Sequence, residues 1–276
     1  MLPKVQTLYT IREMTTDGHA PILFHCSDGN NYYCKYRIHY NKEEINCLAY
    51  EVLASKLLQH LEIPTPKIAL VEVSIDSLDK KLIIKNRRVR EGMVLFGSQE
   101  ISPSRILDDL SEVKSKKYFN RIVNPTDLVK IAIFDLWINN VDRGRELTPG
   151  FNYNLLIRSF LLKEEIIASD HAFAFGGVNP LGNFFPSAPL IREDRLYQTP
   201  YYRSVVRYLK QSEFDSIIEN FVSLLRYDYS DVVIQTITLV SQYWELIPNI
   251  DAKIISFLAA ENRINEIERI IKQSKS

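Results

Sequence analysis

Apolar positions along this chain change their period from segment to segment, and the changes mark out its elements. Near the amino terminus they alternate or run in short blocks, so residues 5–11, 22–27 and 31–38 each read as a strand. Ser27-Asp-Gly-Asn30, between the last two, is turn chemistry, and an antiparallel meander is predicted. Over residues 43–61, Ile45, Leu48, Ala49, Val52, Leu53, Leu57, Leu58 and Leu61 fall at helical spacings. One long amphipathic helix is predicted there, stopped by Ile63-Pro-Thr-Pro66. The pattern then predicts a strand at 68–73, a charged exposed helix at 77–90 and a short strand at 92–97, with a break in architecture near residue 100.

Beyond that break the period turns helical, weakly over 104–113 and strongly from Asn124-Pro125 to about Asn139, with proline suited to a first helical turn. Strands at 154–158 and 164–169 interrupt it, followed by a loop of Gly, Pro, Asn and Phe at 176–189. Helical segments with breaks at Tyr227-Asp228 and Pro248 fill 202–272. The plan is an α+β chain: residues 1–100 form a small β-rich part with one long helix, and 101–276 a larger, mainly helical part.

At 276 residues and 46% hydrophobic content the chain can bury a sizeable core. Lys+Arg and Asp+Glu number 34 each, so no basic excess points to nucleic acid or an anionic membrane, and any phosphate binding must be local. Cys26, Cys34 and Cys47 show no C-x-x-C spacing and read as reduced, buried thiols. The first residues hold no apolar run of signal-peptide length, and no stretch approaches the roughly 18 apolar residues of a membrane span. A cytoplasmic setting is expected.

The chemistry concentrates in two places. Asp142, Asn154 and Asp170 flank the predicted strand pair, whose closure would gather two carboxylates and an amide oxygen, a donor set suited to Mg²⁺. Phosphoryl transfer uses this set, with one Asp on the attacking hydroxyl and an Asn and a second Asp on the metal. Taken singly, Asp142 and Asn152 also read as turn and capping residues. In the first part, Lys35 lies on a strand and Glu51 on the following helix, the order of the ion pair that positions ATP phosphates in kinase folds. His171 reads as a packing or hydrogen-bonding histidine, with a proton shuttle as the alternative, and the tyrosines at 197, 201, 202 and 208 as a core-and-surface helix face, with a substrate-facing patch as the alternative.

Several motifs together resemble the HipA-like kinases, in particular their shorter branch. They are Gly18-His-Ala-Pro with Asp28-Gly-Asn-Asn-Tyr-Tyr-Cys-Lys35, Ala49-Tyr-Glu51, Phe96-Gly-Ser98, Asn140-Val-Asp142-Arg143, Asn152-Tyr-Asn154 and Asp170-His-Ala. The resemblance implies a bilobal, protein-kinase-like fold with ATP between the lobes. It implies Lys35 on the α/β-phosphates, held by Glu51, and Asp142 as catalytic base, with Arg143 bracing its loop. Asn154 or Asn152 and Asp170 would be metal ligands, Gly18 and His19 part of a phosphate loop, and residues 96–100, including Phe96 and Ser98, the adenine-reading hinge. Two departures stand out. The gap from Asp142 is ten residues to Asn152 and twelve to Asn154 where about five is usual, and residues 17–21 carry a single glycine. The implied activity is that of a serine/threonine protein kinase using Mg-ATP, with a protein substrate and an antitoxin-like partner. A silent nucleotide-binding scaffold, or a kinase for a lipid or small-molecule hydroxyl, are the alternatives.

Overall fold

A computed structural model describes residues 2–15, 20–36, 45–85, 88–148, 150–175, 185–187 and 189–275. Strands β1 (Lys4–Glu13), β2 (Ile22–Cys26), β3 (Asn31–Lys35), β4 (Ile68–Glu72) and β5 (Val94–Gln99) close a barrel in the order β1-β2-β3-β5-β4. All its pairings are antiparallel except β1 with β4, where Lys4, Val5 and Gln6 sit opposite Leu70, Val71 and Glu72. Alternation decides what each face buries. Ile22, Phe24, Cys26, Tyr32, Cys34, Ala69, Val71 and Leu95 fill the barrel, including two of the three cysteines, all of which are buried. Leu70 and Phe96 face outward, into a second core built on helix α1 (Cys47–His60). The β2–β3 turn is closed by Asp28, whose carboxylate accepts the Asn30 N–H, and by Gly29 at φ 78°.

Two expectations fail, each because distant partners override local period. Among the described residues, 77–90 form turns and no helix. The Thr10 hydroxyl donates to the Ser77 carbonyl, and Glu13 Oε2 accepts the amides of Ile84 and Lys85, so the segment lies along β1 instead of coiling. Over 104–113 the weak helical period gives strand β6 (Ser104–Ile106) and a single 3₁₀ turn at Asp109–Ser111. Asp108 takes the Ser111 hydroxyl, an alternative to helical bonding that short polar side chains favour.

The remaining chain is mainly helical. After the short α2 (Lys116–Phe119), α3 (Asp127–Trp137) runs through the middle with Leu128, Val129, Ile131, Ile133, Phe134, Leu136 and Trp137 buried. Each such side chain stabilises the fold by about 1.5–3 kcal/mol over its exposed state. The hairpin β7 (Arg145–Glu146) and β8 (Phe151–Asn152) and the pair β9 (Leu155–Phe160) and β10 (Lys163–Ala168) follow, with β6 completing the sheet β10-β9-β6. Helices α4 (Pro200–Val206), α5 (Gln211–Leu225), α6 (Ser230–Val240), α7 (Ile250–Leu258) and α8 (Glu261–Gln273) close the chain, with breaks at the two places the sequence marks. Among the described residues no helix is long and apolar enough to cross a membrane. Barrel and helices share the core around α1, which packs on α6. The Trp244 indole N–H also donates to the Val94 carbonyl at 2.8 Å, and the Ile247 amide to Asn46 Oδ1 at 3.1 Å.

Candidate active site

The stretch after α3 is where the sequence turns from apolar to polar, and each polar residue there has a local task. Asn139 takes φ 50°, the left-handed conformation that asparagine tolerates at a helix end. Asn140 donates to Asp135 Oδ1 at 3.0 Å and accepts the Asp142 amide at 3.3 Å, which turns the chain back under the helix. Asp142 then faces the β8–β9 junction. Its Oδ2 accepts the side-chain amides of both Asn152 (2.7 Å) and Asn154 (2.8 Å). The expanded loop thus brings both candidate asparagines to one carboxylate oxygen.

Arg143 is fully buried, both of its terminal nitrogens are engaged, and its Nε is set in an ion pair. Nε faces Asp135 Oδ2 at 2.8 Å, Nη1 donates to the carbonyls of Tyr153 and Asn154, and Nη2 meets the Ser169 carbonyl (2.9 Å) and His171 Nε2 (2.7 Å). A planar five-donor fork can do this; a lysine cannot. His171 is therefore an acceptor at Nε2. Burial, then the neighbouring guanidinium, holds its pKa well below the usual histidine range, so the imidazole is neutral. As a hydrogen-bonding histidine it joins the Asp142 loop to the segment after β10.

That segment reaches across to the barrel. Lys35 Nζ lies 2.5 Å from Glu51 Oε1 and 2.8 Å from Asp170 Oδ1, and Glu51 Oε2 accepts the His171 amide at 2.9 Å. Asp170 adopts φ 59° to make the turn. Burial favours the neutral amine at Lys35, but the charges of Asp170 and Glu51 overcome it and hold the proton on above the ordinary lysine range. Burial likewise pushes the Glu51 carboxyl up, against the pull of Lys35. At Asp170 the ammonium wins over burial, and the carboxyl comes down to about 2. Asp142 goes the other way, raised by burial and then by the charge of Asp170.

A carboxyl held below its unfolded range of about 4 favours the fold above that range, and the advantage is lost as pH falls toward 2. Asp170→Asn is expected to flatten this acid limb in chelator-containing buffer, read as the urea midpoint against pH. The same limb in both proteins would contradict the Lys35–Asp170 pairing. Asp170 is 39% exposed, so solvent damps the size of the effect.

The donor set fits a hard cation. Among the described residues no three His, Cys, Asp or Glu side chains cluster as a metal site. Two carboxylates and two amides remain, and each amide gives its N–H to Asp142, leaving its carbonyl oxygen free to accept. Mg²⁺ commonly takes one or two carboxylates and completes its shell with phosphate oxygens and water.

Two residues escaped the sequence reading. Arg195, 2% exposed, donates to the Asn140 carbonyl, to Asn139 Oδ1 at 3.1 Å and to the Ile191 carbonyl at 2.7 Å. Gly144 makes room for it: a Cβ at Gly144, whose φ is 91°, would lie 2.3 Å from the Arg195 carbonyl carbon and the Leu196 nitrogen. Gly144→Ala is expected to lower stability by about 1–3 kcal/mol, seen as a drop in thermal midpoint. An unchanged midpoint would mean the two segments are not in contact. An arginine beside Asp194 in a polar loop carries no periodic signal, but the glycine just after Asp142-Arg143 could have been suspected.

Lys35, Glu51 and Asp170 come together, as do Asp142, Asn152 and Asn154, with Arg143 between the groups. Phe96 is buried and pairs with Lys35 across the ladder, and Ser98 with Tyr33. Both lie within β5, whose backbone is engaged by β3 and β4. Gly18 and His19 lie outside the described residues.

Residues 8–187 match the family model described as HipA-like kinase. No curated protein sequence matches. The fold resembles the proinflammatory kinase CtkA of Helicobacter pylori at TM-score 0.52 and 10% identity, covering 99% of both chains. It also resembles hydra Fam20, solved with sugar, at TM-score 0.53 and 14% identity over 99% of this chain and 85% of that one. The Golgi casein kinase gives TM-score 0.53 and 14% identity over 99% and 72%.

Proposed function

We infer, from a chain that belongs to the HipA-like kinase family and gathers these side chains in one place, that it is a phosphotransferase using Mg-ATP. The observation that carries this is the Lys35 ammonium bridging Glu51 of α1 and Asp170. It joins barrel to helical part where a triphosphate has to be held. We read residues 1–100 as the nucleotide-holding lobe and 101–276 as the catalytic lobe, with ATP between them. The acceptor is the hydroxyl of a serine or threonine in a protein, and the setting is the cytoplasm. An antitoxin-like protein is the partner the family suggests.

Lys35 contacts the α/β-phosphates, and Glu51 keeps it aimed. Gly18 and His19 belong to the phosphate loop. Adenine is read where β5 ends, beyond Phe96 and Ser98, since their own backbone is engaged in the ladder. Asp170, with Asn154 or Asn152, would hold Mg²⁺, which when bound neutralises charge on the transferred phosphoryl oxygens. Asp142 Oδ2 is occupied by the two amides, so Oδ1 faces the acceptor hydroxyl. The acceptor oxygen bonds to the γ-phosphorus as the bond to ADP breaks, and the hydroxyl proton passes to Asp142 Oδ1. Arg143 and Arg195 fix the loop that carries it.

The test is incubation of the purified chain with γ-labelled ATP and Mg²⁺, alone and with co-purified proteins, beside thermal melting with and without Mg-ATP. Label on a serine or threonine supports the reading. Stabilisation by Mg-ATP without transfer indicates a silent scaffold. Label found only on an added sugar or lipid moves the acceptor.

A further inference from the structure

A cavity of about 780 Å³ opens between α4, the turn preceding it and the end of α8. Its walls include Arg203, Arg207 and Lys275, with Glu112 as their single acidic neighbour in the lining. Among the described residues no ion pair joins any of the three cations. Arg207 donates to the Val113 carbonyl and stacks on Tyr208, its guanidinium carbon 4.9 Å from the ring centre. Lys275 Nζ donates to the Leu209 carbonyl at 2.7 Å, and Arg203 is exposed. Carbonyls and ring faces hold Arg207 and Lys275 in position without cancelling their charge. In a chain of net charge zero, this is a local concentration of positive potential.

The cavity is tied to the catalytic loop through Gln198 and Arg195. Gln198 lines it and accepts the Arg195 amide at 3.1 Å, while Arg195 grips Asn139 and Asn140. Leu196, between them, lies against Gly144. Residues 195–198 thus run from the Asp142 loop to the cavity. The volume is far more than the roughly 30 Å³ of a water, so it has room for several side chains.

We propose that the cavity receives acidic side chains of the protein substrate flanking the acceptor hydroxyl, and so selects acidic sequences. The proposal rests on the phosphotransferase reading and adds a substrate class to it. Complementary charge of this kind governs selection and on-rate, and it weakens with salt.

The experiment measures binding without nucleotide, so it is independent of turnover. A fluorescein-labelled peptide with one serine among glutamates is compared by anisotropy with a twin carrying glutamines, on the full chain at low and high salt. The glutamate peptide is expected to bind at least about tenfold tighter at low salt. Arg203→Gln and Arg203→Glu should abolish the preference, while Arg90→Glu, an exposed charge on the barrel, leaves it intact. In turnover, Arg203→Gln should raise KM for the glutamate peptide and leave kcat unchanged. Equal affinities, a preference unmoved at Arg203, equal loss from Arg90→Glu, or an RNA oligonucleotide binding as tightly as the peptide would overturn the proposal. A preference without any phosphate transfer would sink the kinase reading and leave the cavity assignment standing; transfer with no preference would do the reverse.

Discussion

Asp142→Asn is expected to remove phosphoryl transfer by about 10²- to 10⁴-fold, the usual contribution of a placed general base, while leaving the fold in place. Asparagine has the same shape and can still accept the amides of Asn152 and Asn154 through its own oxygen, but it cannot take up a proton. Thermal melting should therefore show a midpoint close to the parent's, and Mg-ATP should still stabilise the protein. The parent's kcat/KM should fall on the acid side at a pH above the ordinary carboxylate range, because burial and the charge of Asp170 both raise the Asp142 pKa. Below that pKa the carboxyl is already protonated and cannot act as base. Transfer by the folded Asp142→Asn protein at the parent's rate would show that another group takes the proton.

Arg143→Ala is expected to be the most damaging single change for stability. It leaves the Asp135 carboxylate buried without its cation and strands the acceptors at Tyr153, Asn154, Ser169 and His171. Breaking a buried pair by removing one partner costs about 3–5 kcal/mol. Arg143→Lys keeps a charge but loses the fork, and should fall between parent and alanine. Urea unfolding followed by circular dichroism reads both. A loss below about 1 kcal/mol for Arg143→Ala would mean that the guanidinium is not holding these strands together.

The legible parts of the fold were those in which near neighbours in sequence decide the outcome. Alternation in β3 and β5, the turn at Asp28-Gly29 and the periodic helices α5 to α8 follow from local pattern. Residues 77–90 and 104–113 depart from their local pattern because their backbone partners lie elsewhere in the chain, at Glu13 and Thr10 for the first and on β9 for the second. No window of local sequence contains that competition.

The candidate site divides in the same way. Lysine on a strand, glutamate on a helix and aspartates at strand ends were readable as residue types on element types. Arg195 was not, since it meets Asn140 across a separation of 55 residues. Neither was the choice between Asn152 and Asn154, because both amides reach the same oxygen of Asp142.

The bond from Trp244 to Val94 has an optical consequence. Of the chain's two tryptophans, Trp137 is sealed in the helical core at 1% exposure, its indole tied to the Leu258 carbonyl. Trp244 sits on the seam, with its indole fixed to a barrel strand. Loss of that bond would change the surroundings of the ring. Tryptophan emission from a Trp137→Phe protein would therefore come from Trp244 alone, giving a label-free signal of the contact between that residue and the barrel strand.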